Sequence, residues 1–147
     1  MGMASSERIF EFLDEQPLVN EKENPIKIGQ LKGHIEFENV RFGYEKDRLA
    51  LKGISLEMKA GETVALVGHT GSGKTTIANL VSRFYDPTSG VVKMDGNDIR
   101  DLSLSDLREQ ISIVLQETFI FSGTVMDNIR FGNPHAKDKE VIEAAQA

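Results

Sequence analysis

The sequence predicts an α/β fold in which a small antiparallel β part precedes a core built on buried parallel strands. Three observations carry this. Residues 35–42 and 54–58 alternate apolar and polar side chains, Thr63–Gly68 is a continuously apolar run, and a glycine-rich loop joins that run to a helical stretch. At 147 residues the chain has the length of one ordinary domain. Its 39% hydrophobic and 27% charged residues describe a globular chain rather than a disordered one.

The opening stretch, Ala4–Pro17, carries Ile9, Phe10 and Leu13 as an apolar stripe opposite Glu7, Glu11 and Asp14. This predicts a short amphipathic helix stopped by Pro17, either docked on the domain as a surface helix or serving as a connector. Asn20–Gly33 is polar and charged, with Pro25 and two glycines, and reads as a linker. Residues 1–33 are therefore set apart from a domain over 34–147. Met1-Gly2 with Ser6 fits the N-myristoylation pattern only formally.

From His34 the period becomes two. Ile35 and Phe37 alternate with Glu36 and Glu38, and Val40 and Phe42 continue the strand after a phase shift. Ile54, Leu56 and Met58 form a second strand, and the turn Lys59–Glu62 leads into the buried run Thr63–Gly68. A helix is expected from about Lys74 to Tyr85, ended by Asp86-Pro87-Thr88-Ser89-Gly90. Val91–Met94 and Ile99 flank a tight hairpin turn at Asp95-Gly96-Asn97. Ser105–Arg108 opens a short helix, and Ile111–Gln116 reads as another buried strand. Helical patches follow around Val125–Arg130 and Lys137–Ala147.

Composition excludes several functions. No cysteine is present, so neither a disulfide nor a thiolate site can form within the chain. A net charge of −6 disfavours nucleic acid and anionic membrane surfaces as partners. No apolar run approaches the roughly 20 residues of a membrane-spanning helix. Asp95–Asp98 lacks the spaced ligands of a calcium loop. His34, His69 and His135 are scattered and make no metal site, with a solvated role expected for His34 and His135.

The chemistry lies in Gly68-His69-Thr70-Gly71-Ser72-Gly73-Lys74-Thr75, which satisfies every fixed position of the phosphate-loop pattern G-x-x-x-x-G-K-[ST]. It follows an apolar strand and opens a helix, as the mechanism requires. Glycines allow positive φ and close backbone approach to a phosphate. Successive N–H groups of Gly71 through Thr75 can then face an anion at the positive end of a helix. Lys74 supplies a mobile point charge for β- and γ-phosphates. Thr75 offers a hydroxyl of the kind that ligates Mg²⁺, and Thr76 can add an oxygen toward the α-phosphate. His69 and Thr70 belong to the loop, and His69 is expected to shape it rather than act as a base. The fold class sharpens accordingly to an α/β, partial P-loop NTPase core with an antiparallel β subdomain on its N-terminal side.

From about Ala4 onward the sequence resembles the nucleotide-binding domain of ABC transporters, particularly the exporter type. The resemblance rests on HIEFENVRFGY, GETVALVGHTGSGKTT, FYDPTSG, DGNDI, LREQISIVLQE and FIFSGTVMDNIRFG, in that order and spacing. It implies ATP and Mg²⁺ as ligands, a transmembrane domain and a second nucleotide-binding domain as partners, and a place on the cytoplasmic face of a membrane. It also implies that the leading helix joins a membrane helix to the ATPase. Tyr44 matches the aromatic residue that stacks on adenine, the alternative being a tyrosine that only packs the sheet. Ala50 falls near the base or ribose. Gln116 matches the glutamine that reaches Mg²⁺ and the attacking water, which would make Thr75 and Gln116 the metal ligands.

The family's signature motif, its catalytic glutamate and its switch histidine have no counterpart here, and Glu62, Glu109 and Glu117 do not occupy that glutamate's context. The resemblance therefore implies the first part of such a domain, with weak Mg·ATP binding, no hydrolysis by itself, and an apolar edge that favours self-association. A soluble ABC-type ATPase working as an ATP-dependent assembly switch is the alternative, and a binding module with decayed later motifs a third reading.

Overall fold

The computed structural model describes residues 10, 13–45, 47–115 and 119–147. The chain divides into two units, residues 1–112 and 113–147. In the first unit, β1 (Ile35–Phe42), β2 (Leu51–Met58), β3 (Ser89–Met94) and β4 (Asn97–Asp98) form one antiparallel sheet in the order β2-β1-β3-β4. Helix α1 (Lys74–Val81) lies between β2 and β3 in sequence. A 3-10 turn (Ile99–Asp101) and helix α2 (Leu104–Glu109) follow β4.

The phase shift expected in β1 is a break in register. Phe37 pairs with Leu56 and Val40 with Ile54, with a shift between them where Asn39 takes a φ of 48°. The irregularity puts Phe37, Val40 and Phe42 all into the core, where strict alternation would expose Val40. At the β3–β4 hairpin, Asp95 (φ 49°) and Gly96 (φ 81°) both lie in the left-handed region, as a two-residue turn of this hand requires. Asp95 also accepts from the N–H groups of Lys32 (2.7 Å) and His34 (2.9 Å). The core joins these strands to Leu80 of α1, Ile99 and Leu102 of the 3-10 turn, and Leu107 of α2. Each such fully buried aliphatic side chain stabilises the fold by about 1.5–3 kcal/mol.

The residues that read as a linker are hydrogen-bonded along the first unit. Ile26 forms a parallel bridge with Leu102, donating to the Asp101 carbonyl (2.7 Å) and accepting from the Ser103 N–H (2.9 Å). The Ile28 N–H donates to Asp106 Oδ2 (3.1 Å) and the Leu31 N–H to Gln110 Oε1 (2.8 Å). Glu21 accepts from the Leu104 N–H, and Lys22 pairs with Asp101. Arg83, only 1% exposed, binds the same strap from inside. Its guanidinium donates to the carbonyls of Leu102 (3.2 Å) and Asn20 (3.1 Å) and pairs with Asp86 (3.1 Å). An arginine this buried is tolerated because every side of it is partnered.

Three expectations need correction. Helix α1 ends at Val81 rather than near Tyr85, because Arg83 turns to φ 48° and the Phe84 N–H reaches back to the Asn79 carbonyl (2.9 Å). Thr63–Gly68 is not a strand, and Val67 is 93% exposed. Nor do Ile111–Leu115 form one, and Val114 is 98% exposed. Both runs have the composition of buried strands, but neither has a ladder partner among the described residues, and without one a run has no sheet in which to bury its side chains. Of the leading helix, Phe10 and Leu13 are helical and exposed, and the Asp14 N–H bonds to the Phe10 carbonyl (2.8 Å). The rest of that stretch up to Phe12 lies outside the described residues.

In the second unit, α3 (Val125–Arg130) opens with a capping box between Thr124 and Asp127. Hydrogen bonds from the Thr124 hydroxyl and N–H hold the Asp127 carboxyl below its ordinary value. Asn128 bonds both the N–H and the carbonyl of Phe121. Phe121 stacks on Phe131 with ring centroids 4.4 Å apart. Arg130 pairs with Asp138 at the start of α4 (Asp138–Gln146). No helix among the described residues is long and apolar enough to cross a membrane.

Candidate functional site

The glycine-rich loop lies between the extended run Thr63–Val67 and α1, with Gly68–Ser72 exposed. Gly73 closes it at φ 92° and packs where no side chain would fit. A Cβ there would lie 2.6 Å from Leu51 Cδ2 and 3.3 Å from the Ala50 carbonyl oxygen. This glycine is thus demanded as much by the approach of β2 as by any ligand. Gly71 (φ 83°) faces open space, with nothing within 4 Å of the place a Cβ would take.

Helix α1 begins at Lys74 with Gly73 as its N-cap, and no side chain caps its first turn. In the same unit, Ser103 caps α2 by accepting from the Asp106 N–H. The first intrahelical bond at the head of α1 runs from the Ile77 N–H to the Gly73 carbonyl (3.0 Å). The N–H groups of Lys74, Thr75 and Thr76 precede it at the positive end of the helix, the arrangement that holds an anion, whereas the Ser72 N–H, expected to face the anion, donates to the His69 carbonyl (3.2 Å) as the loop turns.

Lys74 folds back over the loop. Its ammonium donates to the carbonyls of Gly68 (2.7 Å) and His69 (2.9 Å) and sits 3.4 Å from Ser72 Oγ. The ammonium carries three donors and these partners are all neutral, so a phosphate oxygen arriving at the loop competes for them with full charge. The His69 ring lies against the Thr70 carbonyl (Nδ1 to O, 2.8 Å), a contact within the loop. His34 meets Glu57 (2.9 Å) on the sheet, and the His135 side chain is exposed, so the three histidines do not converge.

Tyr44, 52% exposed, stands beside this helix. Its ring meets Phe42 edge-on at 5.0 Å and Tyr85 at 5.1 Å. Its hydroxyl donates to Oγ1 of Thr76 (3.3 Å), a residue 5% exposed. Ala50 is half-buried, its N–H donating to the Phe42 carbonyl (2.7 Å) and its own carbonyl lying against Gly73. Tyr44, Ala50 and the loop thus meet at the head of α1, while Gln116 lies outside the described residues. Sequence reasoning missed Asn79, whose amide donates to the Tyr44 hydroxyl (3.2 Å). Only its place three residues after Thr76 on one helix face could have drawn attention to it.

No grouping of three His, Cys, Asp or Glu side chains able to hold a metal occurs among the described residues. The Thr75 hydroxyl, exposed in the first turn of α1, suits Mg²⁺ of the kind that binds mostly through phosphate oxygens and water. Glu62 is committed to its turn, accepting from the Lys59 N–H (2.9 Å).

Residues 51–147 match the ABC transporter family. A Bacillus subtilis protein described as an uncharacterized ABC transporter ATP-binding protein is 65% identical over 100% of this chain and 24% of its own length. An ATP-dependent lipid A-core flippase of Syntrophus aciditrophicus is 44% identical over 99% of this chain and 24% of its own. The structure of a bacterial Atm1-family ABC exporter with ATP bound superimposes with a TM-score of 0.89 at 38% identity, covering 99% of this chain and 25% of that one. The chain spans about a quarter of the length of these relatives. Its fold is that of part of an α/β, P-loop NTPase-like nucleotide-binding domain of an exporter. The chain belongs to the ABC transporter family.

Proposed function

We propose that Gly68–Thr76 cradles the phosphates of Mg·ATP, that Tyr44 stacks on the adenine, and that this segment serves an ATPase driving export across a membrane. The observation that carries the reading is the head of α1: a first turn without a side-chain cap, closed by Gly73, with the Lys74 ammonium resting on neutral loop carbonyls. In this reading Lys74 exchanges those carbonyls for β- and γ-phosphate oxygens, and the first-turn N–H groups take the others. Thr75, with Gln116, holds Mg²⁺, which when bound neutralises charge on the phosphates. Ala50 lines the base or ribose side.

The acting unit is a transporter at the cytoplasmic face of a membrane, comprising a transmembrane domain and two nucleotide-binding domains. The relatives' names and the exporter structure support that assembly. So do the apolar side chains exposed in each unit, Val67 in the first and Val114, Phe119 and Ile120 in the second, which a partner would cover. By itself the 147-residue chain binds Mg·ATP weakly and does not hydrolyse it, since none of Glu62, Glu109 and Glu117 stands in the context of a general base. Calorimetry of Mg·ATP binding to the chain and to Lys74→Ala tests the phosphate assignment. Affinity should fall at least about tenfold, the scale of a lost charge-assisted hydrogen bond. Equal affinity would sink the assignment.

A further inference from the structure

Tyr44 is fixed in two ways that have different chemical origins. Its ring lies nearly perpendicular to those of Phe42 and Tyr85, at interplanar angles of 85° and 88°, and those two rings themselves lie 5.4 Å apart. Packing of this kind holds the sides of a ring but leaves its outer end free to swing. The hydroxyl is held between two side chains of α1, accepting from Asn79 Nδ2 and donating to Thr76 Oγ1. A phenol has one proton to give, so donation to Thr76 and acceptance from Asn79 set the direction of the chain amide → phenol → threonine. Thr76 and Asn79 are three residues apart on one face of the helix that begins at the phosphate loop. The half of Tyr44 not used in these contacts is exposed.

We infer that Asn79 is a positioning residue for nucleotide: through the Tyr44 hydroxyl it fixes where the outer end of the ring lies, and with it the face offered to the base, tying that face to the helix that carries the phosphate loop. The inference rests on the proposal that Tyr44 stacks on adenine. Asn79 lies outside the loop Gly68–Thr76 and is not among the residues of the buried core. Its removal should therefore alter selectivity for the base rather than binding of phosphate or stability.

The test compares affinities of the full chain for ATP and for inorganic tripolyphosphate, with melting followed in parallel. Asn79→Ala should weaken ATP about three- to tenfold, part of the worth of one stacked base, and leave tripolyphosphate within about twofold. Asn79→Asp, which keeps the shape but cannot donate when ionised, should lose as much. Tyr44→Phe, which keeps the ring and removes the hydroxyl, should show the same loss, and Asn79→Ala added to it should lose nothing more. If the unaltered chain binds ATP no better than tripolyphosphate, the stacking proposal itself fails. If it discriminates and Asn79→Ala discriminates equally, the positioning role is overturned while stacking stands. Parallel loss of both ligands, a lowered melt, or additive effects with Tyr44→Phe would show a merely structural residue and overturn it too.

Discussion

β1 and the run Thr63–Val67 are both short, extended and rich in apolar side chains, yet one is paired along both edges and the other has no ladder partner among the described residues. β1 finds β2 close by in sequence and β3 beyond α1, all within the first unit. Its side chains Phe37, Val40 and Phe42 are buried as a result. Val67 and Val114, of equal hydrophobicity to Val40, stand in water. Apolar composition measures what a segment gains from burial, whereas pairing decides whether it is buried. The glycine-rich loop sits between these two regimes: the unpaired run leads into it, but Leu51 and Ala50 lie against Gly73 on its far side.

The contrast is broken most forcefully at Arg83, on the well-paired side. Arg83→Met keeps much of the volume but leaves the buried Leu102 carbonyl and the Asn20 carbonyl without their charged donor. Urea unfolding should show a loss of about 3 kcal/mol or more. Val114→Ala, which removes apolar atoms from an exposed run, should change stability by no more than about 0.5 kcal/mol. Comparable effects at the two sites would mean that Val114 is buried in solution and that the distinction is false.

A smaller effect sharpens the same boundary through pH. Burial would raise the Asp98 carboxyl, but the side-chain and backbone hydrogen bonds of Arg100 outweigh it and bring the group below its ordinary value. A carboxyl depressed in the folded state contributes stability that is complete above its unfolded pKa and disappears as pH falls through the folded one. The first unit should therefore lose this contribution only below about pH 4, and Asp98→Asn should flatten stability against pH in that window. An unchanged acid limb in the variant would count against the Asp98–Arg100 pair.

What was legible in the sequence follows the same division. Period-two alternation located β1 and β2, the phase shift after Glu38 anticipated the irregularity at Asn39, and Asp95-Gly96 announced its turn, because each signal acts over a few residues. The motif G-x-x-x-x-G-K-[ST] located the loop for the same reason. The strap over residues 20–34 was invisible, since its bonds go to Asp95, Asp106 and Gln110, more than sixty positions away in sequence. Arg83 gave no signal either: a charged residue near a helix end is ordinarily solvated, and the distant carbonyls of Leu102 and Asn20, with Asp86 nearby, make it a buried tie. Tyr44 could be matched by position, but its anchoring by Thr76 and Asn79 needed the helix to be placed.

Amide hydrogen exchange of the chain with and without Mg·ATP tests the central claim most directly. Without nucleotide, β1, β3 and residues 26–34 should exchange slowly and residues 64–67 and 113–115 fast. Nucleotide should add protection at Gly71–Thr76 and Tyr44 while leaving β3 and the strap unchanged. Added protection that spares Gly71–Thr76, or none at saturating Mg·ATP, would contradict the assignment of this loop as the phosphate cradle.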